Sequence, residues 1–443
     1  MRNALSQKFT FWSLLRFAAP TILMMVFMSM YTMVDGVFVS RLIGTSALSA
    51  VNIVYPFVSV VLAFGIMLAT GGSAIVARKM GEGKPREAGE NFTFILCIGV
   101  ALGLAISVAG LALRETVLSF LGANGALRAL CRDYYTLLAW FTVPAILQMI
   151  FQSFFVVASR PVLGLVITLT GGIANILLDY VFIAKLGMGI GGAALATGIG
   201  YSIPALSGLA FFQFSRKSPL RFARPRWKAD VLLRTCTNGS SEMVTNLSSA
   251  VITYLFNIAM MHYVGEDGVA AITIVLYSEF LLIAVYLGYS SGIAPVISYN
   301  YGSGDDVQLK RLFRTSMRFL GATSLATFGL AAVTAGSVVQ VFTPVGSGVY
   351  ELAVDGFRLF AIAFLFKGVN IFASAMFTAF SNGTVSAILS FLRTFVFIAA
   401  GVTLFPLAVG VNGIWLAVPF AEVLSFAVSL AFFVRLRRVY RYA

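Results

Sequence analysis

A single histidine, His262, and three cysteines, Cys97, Cys131 and Cys236, occur in the 443 residues, and only 11% of the chain is charged. One imidazole excludes multi-histidine metal chemistry and histidine proton relays. The cysteines lack the close spacing of a thiolate metal site or a disulfide framework and read as packing residues. No GxxxxGK[ST] loop is present to grip a nucleotide phosphate, so ATP-driven work would need another subunit. An intramembrane transferase would need a paired-acid metal motif or a histidine poised within an apolar span, and neither is visible. Acids are scarce too, with 17 Asp and Glu against 31 Lys and Arg, a net charge of +14.

What abounds is apolar. At 59% hydrophobic and a mean hydropathy of +0.92, the chain departs from water-soluble globules, which are nearer half apolar and about a quarter charged. Stretches of about 20 apolar residues, enough to cross a hydrocarbon core of roughly 30 Å, recur along its whole length. They lack the strict alternation of a transmembrane barrel, which leaves helices as the way to satisfy the backbone in lipid. The runs 14–39, 48–76, 92–113, 134–158, 163–183 and 193–214 make six spans. The runs 243–263, 269–297, 312–335, 356–379, 385–408 and 414–434 make six more. The first run has no small-residue cleavage site and is expected to be a retained helix rather than a secretory signal.

The basic residues fall in alternate loops. One side collects Arg78, Lys79, Lys84, Arg86, Arg160, Arg216, Lys217, Arg221, Arg224, Arg226, Lys228 and the tail Arg435, Arg437, Arg438 and Arg441. The other holds only Arg41, Arg114, Arg128, Arg132 and Lys185. This asymmetry predicts both termini in the cytoplasm of a bacterial inner membrane. The positive excess is thus a topology signal whose natural partners are anionic lipid headgroups, not nucleic acid.

An offset of 221 residues relates the two halves. Gly44, Gly71, Gly81, Gly83 and Phe92 fall on Gly265, Gly292, Gly302, Gly304 and Phe313, and Gly189 and Gly192 on Gly410 and Gly413. Each half has an even number of spans, so both enter the membrane in the same direction, as parallel repeats about an axis along the membrane normal. The expected organisation is an N-terminal lobe at 1–214, a basic cytoplasmic linker at 215–234 and a C-terminal lobe at 235–443. A site between two fused lobes needs only one chain, so a monomer is expected, and the two-lobe repeat disfavours a passive channel.

Ionisable residues near a bilayer centre cost about 2.5 to 3.5 kcal/mol on insertion scales and are functional candidates by default. In the first half these are Asp35 and Asp179. Asn175 lies one turn before Asp179 on the same helix face, and Thr197 adds a hydroxyl in the next span. Their oxygens suit a hard cation, and the two carboxylates equally suit a proton, because desolvation and mutual repulsion raise a carboxylate's pKa. Their counterparts in the second half, Phe256, Val396, Ala400 and Val418, are not polar. The second half has its own embedded set, Glu242 with Asn246, Glu279, Lys367 with Asn370, Arg393 and Glu422. Its near balance of acids and bases fits either interhelical ion pairing or substrate contact, with Glu242 and Glu279 suited to attracting an organic cation. Pro20 lies inside the first span, where a proline removes a backbone bond and favours a bend.

The stretch PTILMMVFMSMYTMVDGVFVSRLIG, the GxG loops after spans two and eight, ASRPVLG after span four, and GGIANILLDYVFI followed by GIGGAALAT carry a resemblance. Over essentially its full length the chain resembles the multidrug and toxic compound extrusion (MATE) family, and is most similar to its DinF-like and MepA-like branches. The resemblance implies an all-α membrane protein of twelve transmembrane helices, in two six-helix bundles forming a V-shaped cleft. It also implies export of organic cations in exchange for Na+ or H+, with no other cofactor. Asp35, Asn175, Asp179 and Thr197 match the family's first-lobe ion-binding positions and Pro20 its bending proline, whereas Lys367 departs from its pattern. A flippase for a lipid-linked saccharide is the alternative of related architecture.

Overall fold

The computed structural model of the protein describes residues 4–443 except 124, 126, 216 and 217, and gives the backbone alone at 32–42 and 45. Asp35 therefore lies outside the residues whose side chains are described. Among the described residues there are helices and no strands. The first half contains α1 (Phe11–Leu42), α2 (Thr45–Gly81), α3 (Pro85–Ala112), α4 (Arg114–Phe120), α5 (Leu127–Trp140), α6 (Thr142–Val157), α7 (Pro161–Asp179) and α8 (Gly189–Phe214). The second contains α9 (Ala229–Tyr263), α10 (Glu266–Ser303), α11 (Asp306–Gln340), α12 (Gly348–Ala361), α13 (Phe364–Ala379), α14 (Gly383–Phe391), α15 (Phe397–Val409) and α16 (Val411–Tyr440).

Local chemistry explains several of the boundaries. α3 and α7 open on Pro85 and Pro161, where the missing N–H is one a helix start leaves unpaired anyway. Asp305, Ser347 and Asn382 cap α11, α12 and α14 by accepting from the amides of Gln308, Tyr350 and Val385, which relieves orphan donors.

Ten helical segments are long and apolar enough to cross a membrane, and two bent pairs, α5 with α6 and α12 with α13, bring the number to twelve. Each pair is broken by 55°, at Phe141 in the first half and Ile362–Ala363 in the second. The offset of 221 carries 141 onto 362, so the break belongs to the repeat. The uninterrupted spans expected at 134–158 and 356–379 are corrected accordingly: hydropathy is a sum over side chains and does not register a turn inside an apolar run. Spans five and eleven also contain π-helical turns, at Tyr180–Lys185 and Leu392–Val396.

The bundles meet along α1 against α10, α2 against α9, and α2 against α10. Glycine permits every one of these approaches. A side chain on Gly71 would strike the carbonyl of Thr235, and one on Gly292 would meet Thr21. Gly81 rests on the carbonyl of Tyr299, and its repeat partner Gly302 rests on that of Arg78. All of these contacts lie toward the end that bears the termini and the basic loops. Among the described residues no glycine joins the bundles in the opposite half, as expected of a V. The start of the chain is built into the far bundle: Leu5, Phe9, Leu14 and Phe17 are buried with Ile293, Val296 and Leu309 in the second bundle's core.

Candidate functional site

Small residues bring α7 and α8 together in the first bundle. A Cβ on Gly171 would lie 2.8 Å from the carbonyl oxygen of Gly200, and one on Gly200 would lie 3.0 Å from Cβ of Asn175. That proximity sets Asn175 beside Thr197, one turn before Gly200. The amide Nδ2 of Asn175 donates to Oγ1 of Thr197 at 3.4 Å. Asn175 and Asp179 are fully buried and Thr197 nearly so. Oδ1 of Asn175 is buried with no hydrogen-bond partner among the described residues, so an acceptor points into the site. Asp179 ends α7 where the π-helical turn begins, the kind of irregularity that recurs at functional positions.

A cavity of about 20 Å³ adjoins this cluster, lined by Gln148, Thr168, Gly171, Gly172, Gly200 and Tyr201 among others. It has room for about one water molecule. Among the described residues no three His, Cys, Asp or Glu side chains converge on a metal-sized point. A cation here would be held by one carboxylate, the amide oxygen of Asn175 and the hydroxyl of Thr197, an all-oxygen set that fits a hard ion. Pro20 is buried within an unbroken α1, next to Thr21 and Ile22 at the contact with Gly288 and Gly292 of α10.

In the second bundle the embedded charges are joined. Lys367 is ion-paired with Glu279 and lies 3.8 Å from Glu422. Arg393, inside the second π-helical turn, reaches Glu422 at 3.5 Å. Asn370 donates to Oε2 of Glu422 at 2.7 Å and to its backbone oxygen at 2.9 Å, and Ser429 donates to Oδ1 of Asn370 at 3.2 Å. Lys367 also faces the rings of Phe360 and Phe364. Glu242 is within electrostatic reach of Arg393, and the amide of Asn246 is taken by the backbone oxygen of Glu242 at 2.9 Å. Three carboxylates thus face two cations. The hub, Glu422, is visible in the sequence as an embedded acid, but nothing there marks it as the point where two cations meet.

The two polar sets do not overlap under the repeat. Glu242, Glu279, Lys367, Asn370, Arg393 and Glu422 correspond to Thr21, Val58, Ile146, Met149, Gly172 and Tyr201. Gly172 and Tyr201 line the small first-bundle cavity, so both bundles hold their polar groups in matching regions but with different chemistry.

Two parallel repeats of six spans, each with a polar cluster sealed inside an apolar bundle, define a polytopic membrane protein of the two-bundle transporter class. The MatE family model matches twice, at residues 20–181 and 243–403, one copy in each bundle, and the chain belongs to that family. It is 23% identical over 419 residues to multidrug export protein MepA of Staphylococcus haemolyticus, covering 91% of this chain and 88% of that one. Its fold matches the outward-facing conformation of a multidrug resistance MATE family transporter of the MOP superfamily at a TM-score of 0.90 and 21% identity, over 97% of this chain and 96% of the other. A MOP superfamily transporter from Pyrococcus furiosus, described as having a binding pocket of reverse polarity, matches equally well at 0.90 and 22% identity, over 97% and 96% of the two chains.

Proposed function

We propose that the protein is a cation-coupled antiporter that exports organic, mainly cationic, small molecules across the inner membrane of a bacterium, with both termini in the cytoplasm. The observation that carries this reading is the one-sided polar core of the first bundle: Asp179, Asn175 and Thr197 are buried together, while their repeat counterparts Ala400, Val396 and Val418 are apolar. Membership of the MatE family and similarity to a multidrug export protein support efflux of drug-like molecules. In this reading Asp179, Asn175 and Thr197, together with Asp35, bind Na+ or H+, and that binding favours one orientation of the bundles while substrate favours the other. Exchange follows when the two loads compete for the protein. One charge crossing 100 mV supplies about 2.3 kcal/mol, a roughly fifty-fold gradient.

Glu242 is the acid we assign to the substrate's positive charge, because Glu279 and Glu422 are already engaged by Lys367 and Arg393. The same pairing weakens the alternative, a flippase for a lipid-linked saccharide, since neither cation is left over to hold a diphosphate. One chain supplies both bundles, and the transport unit is a monomer. The test is counterflow of ethidium in proteoliposomes under imposed Na+ or pH gradients, for wild type and Asp179→Asn. Gradient-driven uptake abolished by the substitution identifies the ion and its site. Unaltered uptake in the variant moves coupling to the second bundle, and no uptake under either gradient makes the flippase the reading to pursue.

A further inference from the structure

At the end of the first bundle away from the termini, a cavity of about 510 Å³ opens between α5 and the turn leading into α8. Its charged walls are Arg114, Arg132 and Asp133, and the turn at Gly187–Gly191 closes it. Gly187 and Gly189 have φ of 64° and 58°, a conformation that strains other residues. The N-cap, Met188, makes no side-chain cap hydrogen bond, so among the described residues no capping side chain takes the first-turn amides of α8 at Gly189, Ile190 and Gly191. The guanidiniums are held in place. Arg114 donates to Glu115 at 3.2 Å and to Thr136, another lining residue, at 3.3 Å. Arg132 lies 3.5 Å from Glu115, which Arg128 also engages at 3.0 Å. Three cations thus surround one carboxylate, and among the described residues Asp133 is the one acid on the cavity wall.

The fold does not require this cluster. The second bundle repeats the turn, with Gly410 at a φ of 61°, yet Arg114, Glu115, Arg132 and Asp133 correspond there to Ala335, Gly336, Ala353 and Val354. The remaining walls, Leu130, Leu137 and Ile190, are apolar, and Leu186 and Met188 beside the mouth are largely exposed.

We propose that this cavity binds the headgroup of a phospholipid carrying a primary amine, of the phosphoethanolamine class. The phosphate takes charge-assisted hydrogen bonds from Arg114 and Arg132 and lies at the start of a 26-residue helix, where the backbone favours an anion. The ammonium answers Asp133, and the acyl chains leave over Leu186 and Met188. The site is independent of the transport reading, and its test measures lipid binding alone.

The experiment is calorimetric titration of the purified full-length protein in detergent with dihexanoyl phosphatidylethanolamine, dihexanoyl phosphatidylglycerol, free phosphoethanolamine and inorganic phosphate. The variants are Arg132→Gln and Asp133→Asn, each first checked for an unaltered melting curve without lipid. Arg132 is more than half exposed, so its replacement spares the fold. Phosphatidylethanolamine is expected to bind most tightly, about tenfold more weakly to Arg132→Gln, and Asp133→Asn is expected to erase its advantage over phosphatidylglycerol. Unchanged affinity in Arg132→Gln overturns the site. Equal binding of free phosphoethanolamine or phosphate overturns the lipid, and a preference that survives Asp133→Asn overturns the amine.

Discussion

Glu422 balances two cations and accepts from Asn370 as well, so its loss would leave Lys367 and Arg393 short of a counter-charge in an apolar bundle. Breaking a buried pair by removing one partner costs about 3–5 kcal/mol, and Glu422→Gln is expected to lower the melting temperature sharply. Asp355→Asn, which removes an exposed pair to Arg358, is expected to change the stability by less than about 1 kcal/mol. Outside the spans, Glu82 is drawn upward by burial, but the hydrogen bond and charge of Lys79, with Arg78 and Lys84, outweigh that and hold its carboxyl below the usual range. A depressed folded value means that its contribution is complete above the ordinary glutamate range, about pH 4.3, and is lost as pH falls through the lowered value. Melting curves across that acid range should be flatter for Glu82→Gln than for wild type. The sequence exposes each embedded charge singly, because a charge in an apolar run stands out. It does not reveal that Lys367 pairs with Glu279, 88 residues away, since that depends on which spans become neighbours.

The helices that join the bundles cross at glycines, and the repeat makes each crossing reciprocal. Gly81→Ala or Gly302→Ala would drive a methyl into a backbone carbonyl of the other bundle, and either is expected to lower thermal stability and yield of folded protein. Gly321, inside α11, has open space where a Cβ would sit, and Gly321→Ala is expected to stabilise by about 0.5–1 kcal/mol. Together they separate crowding from helix propensity, and equal effects at all three positions would refute the crossing. The offset of 221 foretells which glycines correspond, and the hydropathy runs foretell the number of spans. Helix ends are less visible. α9 starts at Ala229, well before the apolar run at 243, because its first turns carry polar residues such as Asp230 and Arg234. The π-helical turns lie at unlike heights in the two repeats, after Asp179 and around Arg393, and residue type gives no cue to them.

Each bundle has its own packed interior, yet the second includes Leu5, Phe9, Leu14 and Phe17 from the start of the chain. Phe9 is almost fully enclosed, and Phe9→Ala should cost about 3–5 kcal/mol. Faster hydrogen exchange is expected in α10 and α11 of that variant, with α6 to α8 little affected; loosening of the first bundle instead would contradict this assignment. The positive-inside pattern shows which end is basic, but not that the opening residues cross to the other bundle, since hydropathy carries no information about partners.

That crossing constrains the order of assembly. The amide of Asn300 donates to the carbonyl of Leu5, a partner 295 positions earlier, so during synthesis Leu5 meets this partner only after the intervening residues have been made. Until then Phe9 and Phe17 lack the second-bundle residues that bury them. Closing so long a loop is slow, which makes completion of the second bundle the step that locks the first helix in place. A chain released early, with six spans already inserted, would be a membrane protein whose opening segment has nowhere to dock.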